Sequence, residues 1–188
     1  VTLQVADLDD RDLASLASGG NHVASTELVR RHRDWVYRLI RSQIGDPDES
    51  LDVTQASFVA AFGALERFDR ARPFKHWLAR IALNKCKDWK RRALARRFFS
   101  AAAPLAEVEN VADQTPGVEA VSADKSELRR TLRAISELPT SLREPLVLRT
   151  IDEHSQADTA KILGITEKAV EARVRRARAR LAEKLKKL

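Results

Sequence analysis

Gly164 splits the last third of the chain into two helical patterns and fixes how they meet. The first pattern opens at Ser155, a residue suited to cap a helix, with Asp158 three positions on, close to a reciprocal capping box. Gly164 can adopt the left-handed conformation that ends a helix, and Thr166 caps the next. At about 100° per residue, Val170, Val174, Ala177 and Leu181 fall on one narrow stripe of that second helix. The opposite face carries Lys168, Ala172, Arg175, Arg176 and Ala179. An apolar back and a cationic front are what a helix-turn-helix needs to place its second helix in a DNA major groove. A charge run by itself more often marks a solvated face. Here cap, turn glycine, apolar stripe and basic front coincide, and DNA binding is the better account.

The rest of the composition agrees. A chain of 188 residues, 44% hydrophobic, can bury the core of one large domain or two small ones. A formal charge of +7 and a pI near 9.9 favour a polyanionic partner. Cys86 is the only cysteine, which excludes a disulfide framework or a thiolate zinc site within the chain; its helical surroundings predict a small buried residue. His22, His32, His76 and His154 are scattered without ligand spacing and predict surface or structural roles. No metal or cofactor is called for. The absence of a glycine-rich phosphate loop and of a nucleophile–base pair argues against an enzyme, and no catalytic residue is assigned. No run approaches the ~20 apolar residues of a membrane span, and residues 1–12 are acidic rather than signal-like. A cytoplasmic location is the expectation.

Nearly every periodic segment reads as helix, so the expected fold class is all-α. Helices are expected over 10–18, 26–44, 48–68 and 74–99, with a loop at 69–73. Val53, Ala56, Val59, Ala60 and Leu65 form the expected inward face of the third, and Trp77, Leu78, Ile81, Ala82 and Trp89 lie on or near one face of the fourth. The stretch 100–125 lacks a period and carries Glu107, Glu109, Asp113, Glu119 and Asp124, an acidic linker inside a basic protein. Helical pattern resumes at 126, with Leu128, Leu132 and Ile135 on one face. Ser141 and Glu144 suggest a capping box, with Pro145 in the first turn of the helix that follows. Two helical modules, 10–99 and 126–188, are therefore expected on a flexible acidic tether.

Four segments, in order and with matching spacing, resemble the extracytoplasmic-function (group IV) sigma factors of bacterial RNA polymerase. LVRRHRDWVYRL at 28–39 is similar to the family's first conserved helix. DVTQASFVAAF at 52–62 resembles the helix that docks on the polymerase clamp, and FKHWLARIALN at 74–84 resembles the promoter-melting segment. In the second half, LP at 138–139 and REPLVLR at 143–149 match the helix that precedes the helix-turn-helix. The likeness covers nearly the whole chain apart from the linker and the first few residues. Two departures stand out. Leu51 occupies a position where an acid is frequent, and Glu171 and Ala172 stand where a base and a small polar residue are frequent.

The resemblance implies a division of labour. Asp52, Gln55 and Phe58 would bind core polymerase at the β′ clamp, and the C-terminal module would meet the β flap. Lys75, Trp77, Arg80, Asn84, Lys87 and Arg91 would hold the −10 element as single strand. Asn84 would read a base edge, since its amide donates and accepts. Trp77 would help wedge the duplex, although at helical spacing with Leu78 and Ile81 it also fits a core. The basic stretch Lys85, Lys87, Lys90, Arg91 and Arg92 suits phosphates or a solvated face. Lys168, Ala172, Arg173, Arg175 and Arg176 would contact the −35 duplex, Arg173 at its phosphates. The two elements lie about two duplex turns, ~70 Å, apart. A coil of about 25 residues spans only ~25–30 Å on average and ~80 Å at full stretch, so the tether would be extended at work. Free in solution it would let the modules collapse together. The partners implied are core RNA polymerase, promoter DNA and an anti-sigma factor, with a monomer when free and no membrane insertion. A helix-turn-helix repressor explains the charge but not 52–62 or 74–84. A decoy that sequesters an anti-sigma factor would be expected to lose the basic surface that this chain keeps.

Overall fold

In a computed structural model, residues 5–102 and 122–186 are described, with side chains over 5–96 and 126–186. They form helices α1 (Asp10–Ser18), α2 (His22–Ile44), α3 (Pro47–Phe62), α4 (Phe74–Ala102), α5 (Ser122–Ser136), α6 (Thr140–Thr150), α7 (Gln156–Leu163) and α8 (Glu167–Lys186), with no strand among the described residues. The central part of the predicted linker, 103–121, lies outside the described residues, so its acidic tether is not seen. Its two ends, read as coil, extend α4 and open α5.

The helix ends follow local chemistry. Asp9, Asn21 and Asp46 accept hydrogen bonds from the first free amides of α1, α2 and α3. The Asn21 cap starts α2 four residues before the expected position, because a capping amide outweighs the polar look of 22–25. Helix α3 stops at Phe62 rather than 68: Gly63 ends it, and the chain makes a short 3-10 turn at Leu65–Arg67 before the loop. Ser155 caps α7 as expected, accepting from the Asp158 amide at 3.0 Å and donating to its carboxylate at 2.6 Å. Gly164 is left-handed at φ 67°, and Thr166 caps α8. The expected capping box at Ser141 does not form. Helix α6 starts two residues earlier with Pro139 at its cap and no side-chain bond, while Glu144 is buried. Pro145 therefore sits in the second turn rather than the first, where it removes an amide that would bond the carbonyl of exposed Ser141.

Helices α1 to α4 enclose one core, built on Leu13, Leu28, Val36, Leu39, Ile40, Leu78 and Ala82, all essentially inaccessible. Within it His32 is fixed between two partners. Its Nδ1 accepts from the Trp35 indole at 2.8 Å, and its Nε2 meets Asp10 at 2.8 Å. The His32 bond is the main reason the Asp10 carboxyl is held below its usual range. Cys86 is buried as expected, and burial pushes its thiol up to about 12. A smaller cluster, Leu138, Leu142, Leu146 and Ala177, holds α6 to α8. Of the expected stripe Leu128, Leu132 and Ile135, only Ile135 is buried; Leu132 is half-buried and Leu128 is 58% exposed, the two leucines lining a hollow with Tyr37, Arg38 and Arg41 of α2.

The two halves are not separate. Ile135, Val147, Leu148 and Ile162 of the second half join the core of the first. Arg143, 1% exposed, reaches across this seam: its Nε donates to Gln43 Oε1 of α2 at 2.6 Å, and its Nη1 donates to the carbonyls of Ser136 and Leu138. Lys87 pairs with Glu144 at 3.1 Å, and Lys75 Nζ reaches the Asp152 carbonyl at 3.5 Å. Gly45 is needed twice over. Its φ of 88° suits only glycine, and a Cβ there would come within 2.7 Å of Ser136 Oγ in α5.

The seam also buries a carboxyl and an imidazole two residues apart. Burial pushes the Asp152 carboxyl up to about 7 despite Lys75 and Arg38, and pushes the His154 imidazole down to about 4, with Lys75 and His76 adding to the effect and Asp158 opposing it. A raised carboxyl contributes stability in acid that is lost as pH climbs from about 4 to 7; a lowered imidazole contributes stability above 6.5 that is lost as pH falls toward 4. The two oppose each other between those limits. Relative to wild type, Asp152→Asn is therefore expected to lose urea stability on going from pH 6.5 to 4.5, and His154→Gln to gain it, each by about 1–3 kcal/mol. Parallel slopes for all three proteins would show that the pair does not titrate in this way.

Candidate nucleic-acid and protein interfaces

Helix α8 presents the surface expected of a recognition helix. Val170 and Ala177 are buried on its back, with Val174 and Leu181 half-buried beside them. Lys168, Arg175 and Arg176 are exposed and Ala172 half-buried. At about 100° per residue these four share an arc of about 100°, and Arg173 falls about 60° outside it. Arg173 is half-buried, so it flanks the front rather than belonging to it. Arg175 and Arg178 also line a hollow of ≈ 290 Å³ with Arg149, Gln156 and Glu171, where the one acid lies among three guanidinium groups.

On α4 the structure gathers only half of the expected single-strand contacts. Trp77, Arg80 and Asn84 share one face and line a groove of ≈ 760 Å³ with His76, Ile81 and the loop residues Ala71 to Pro73. The expected loop 69–73 is thus at the mouth of the groove. Trp77 is half-buried, stacked against Phe68 and Phe74 at 5.2 and 5.5 Å, so it is both core edge and groove wall. Lys75, Lys87 and Arg91 lie elsewhere. Lys75 sits over the Trp35 ring and against Asp152, Lys87 pairs with Glu144, and Arg91 pairs with Asp88 at 2.5 Å. The groove's far wall is α7, through Asp158, Lys161 and Ile162. His76 approaches Asp158 to 3.8 Å and stacks edge-on with His154 at 5.3 Å.

Helix α3 has its polarity inverted. Its buried stripe contains Ser50, Thr54 and Ser57 with Val53, Phe58 and Ala61. The hydroxyls donate back to the carbonyls of Asp46, Ser50 and Val53, which satisfies them without a neighbour. The outward side carries Val59 at 66% exposure and Leu51 at 57%, beside exposed Asp52, Gln55 and Ala56. Val59 and Ala56 were expected to face inward. They do not, because small hydroxyl residues fill the side that packs on α2 and α4. Phe58, expected at a protein contact, is 7% exposed and stacks on Phe62 at 6.2 Å, so it supports the surface from beneath. Hollows of ≈ 440 Å³, closed by Lys85, and ≈ 560 Å³, closed by Val29, Arg33 and Tyr37, flank the ridge. An exposed apolar ridge with a polar rim has the anatomy of a protein-binding surface.

Sequence reasoning missed the seam residues Gln43, Arg143, Asp152 and Thr159. The one available signal was an arginine placed among Leu142, Leu146 and Val147. Among the described residues no cluster of potential metal ligands occurs, and no helix is long and apolar enough to cross a membrane.

Comparison with known proteins bears on these surfaces. Residues 28–97 match the Sigma-70 region 2 family and residues 128–181 the Sigma-70 region 4 family. The chain is 42% identical over 177 residues to the RNA polymerase sigma factor CnrH of Cupriavidus metallidurans, covering 92% of each. It is 35% identical over 176 residues to the ECF RNA polymerase sigma factor SigM of Mycobacterium tuberculosis, covering 94% of this chain and 84% of that one. A structure of CnrH in complex with the cytosolic domain of CnrY superposes with a TM-score of 0.69 at 37% identity, over 94% of this chain and 97% of that one. The sigma factor RpoE of Bartonella quintana, solved with the anti-sigma factor NepR, shares the fold alone at 22% identity and a TM-score of 0.66, over 86% of this chain and 96% of that one. With both halves matched in order, the chain belongs to the sigma-70 family of RNA polymerase sigma factors, in its extracytoplasmic-function group.

Proposed function

We propose that this sigma factor binds core RNA polymerase through the outward ridge of α3, holds −10 single strand against α4 and reads −35 duplex with α8. The observation that carries the reading is the inverted polarity of α3. A helix that buries serines and exposes Leu51 and Val59 is built to be covered by another protein, and Asp52 and Gln55 lie on the same ridge. Trp77, Arg80 and Asn84 offer a flat ring, a cation and an amide along one groove, which suits unstacked bases and their phosphates. Lys168, Arg175 and Arg176 share one face of α8, with Arg173 placed for phosphate. The working units are 10–99 and 126–188, joined by the acidic tether. Control belongs to a separate anti-sigma factor, as the CnrH complex suggests, and such a partner needs only to prefer the compact arrangement over the extended one.

Run-off transcription with purified core polymerase on a promoter library tests the activity itself, and no promoter-dependent transcript would refute it. Gln55→Ala with Val59→Asp is expected to weaken core polymerase binding at least tenfold with unchanged helicity; full affinity would remove α3 from the interface. Phe58→Ala would instead destabilise the chain by about 3–5 kcal/mol, because Phe58 is core. In the holoenzyme, each phosphate contact adds about −0.9 to the log–log salt slope of promoter binding. Arg173→Ala should flatten that slope by about one contact, whereas Arg176→Ala should relax base preference at the −35 element by about 1–3 kcal/mol. Identical salt slopes and preferences for both variants would count against this orientation of α8.

A further inference from the structure

Glu171 is an acid set among cations and paired with none of them. It is the fifth residue of α8 (Glu167–Lys186), is exposed, and lines the hollow that it shares with Arg149, Gln156, Arg175 and Arg178. At about 100° per residue it falls about 40° beyond the arc of Lys168, Ala172, Arg175 and Arg176, on the side away from Arg173. A glutamate four residues before an arginine is the favourable order for an ion pair along a helix, so Arg175 is its natural partner. Yet among the described residues Glu171 makes no side-chain hydrogen bond or ion pair. Two of its neighbours are engaged elsewhere: Arg149 Nη1 donates to the His154 carbonyl, and Gln156 Nε2 to the Glu167 carbonyl at 3.2 Å. The carboxylate is left open to whatever enters beside α8.

On a surface that meets DNA such a group has a cost, because phosphates repel it on every sequence. Only a donor on a base can offset that. A carboxylate accepts hydrogen bonds and donates none, and the major groove offers it two amines, adenine N6 and cytosine N4. Adenine presents its N7 acceptor beside the amine, where it opposes the second carboxylate oxygen. Cytosine has no acceptor beside its amine on the same base. We propose that Glu171 accepts a hydrogen bond from N4 of a cytosine in the −35 duplex, and so makes the chain select a C·G pair at one position of that element. The inference rests on the reading that α8 enters the −35 major groove, where residues near the start of the second helix meet base edges. Arg175 and Arg178, exposed on the same flank, offset the phosphate repulsion and let the carboxylate approach. Selection works by penalty: any other pair opposite Glu171 leaves a desolvated carboxylate without a donor or against an acceptor. An arginine or lysine at this place would favour guanine instead, so the acid redirects the preference.

The test uses holoenzyme assembled from the full chain and core polymerase. Run-off transcription on templates randomised across the −35 element gives the base preference position by position. Wild type should favour cytosine over each other base by about tenfold at one position. Glu171→Ala should erase that preference and keep those at the other positions, while the loss of a negative charge raises binding to all templates alike. Glu171→Gln, whose amide both donates and accepts, should shift the preference toward adenine. An atomic check replaces that cytosine with 2-pyrimidinone, which lacks only the 4-amino group. Wild-type holoenzyme should lose about tenfold in affinity, and Glu171→Ala should lose far less, the non-additivity expected of two groups in contact. A cytosine preference that survives Glu171→Ala would overturn the assignment, and so would identical preferences at every position or an equal loss with the analogue for both proteins. Each of those results comes from a transcribing holoenzyme and leaves the sigma-factor reading standing. No promoter-dependent transcript from wild type would instead sink that reading, and this inference with it.

Discussion

A single buried guanidinium organises the second half of this protein and its attachment to the first. Arg143 enters from α6 at a point where the chain turns from α5, and there it takes the carbonyls of Ser136 and Leu138 that the helix end leaves free, together with the hydroxyl of Thr140. Its remaining direction is filled by Gln43 of α2. An arginine can serve four acceptors in one plane, which a lysine cannot. Burial lowers its pKa, yet the group remains charged, so the acceptors around it cannot be given up without stranding a cation. The corner α5–α6, the position of the helix-turn-helix and the contact with α2 are therefore consequences of one residue's geometry.

The second organising constraint is the inversion of α3. Helices usually hide leucine and valine and show serine. Here the hydroxyls are hidden because each bonds to its own helix backbone, and they share the buried side of the helix with Val53, Phe58 and Ala61. The apolar residues displaced outward, Leu51 and Val59, form a ridge left exposed among the described residues. Stability within the bundle and readiness for a partner thus come from one choice of residues, rather than from a surface added to a finished fold.

What was legible in the sequence was local. The helix-turn-helix, with its Ser155 cap, left-handed Gly164 and α8 stripe, is specified by residues within a turn or two of one another, and the structure has all three. Family likeness placed α3 and α4 in order. The errors came where distant residues decide. Periodicity alone points Val59 and Ala56 of α3 inward, because it carries no information on what covers an apolar face. The Ser141 cap failed because Pro139 had already set the start of α6. Lys75 and Lys87 looked like free phosphate binders, but their partners are 77 and 57 residues away in the chain. Nothing at short range announces Gln43 opposite Arg143, 100 positions on.

Cys86 carries a consequence of its own. It is the chain's one thiol, 4% exposed, in α4 within the field of Arg143, Lys90, Glu144 and Lys87, so it lies beside the seam itself. With its pKa near 12 it holds almost no thiolate at neutral pH, and no reagent reaches it while its surroundings stay packed. Its alkylation rate is thus set by how often that packing breaks. The native protein contains its own stopwatch for rare excursions, one that needs no introduced label and counts a single site.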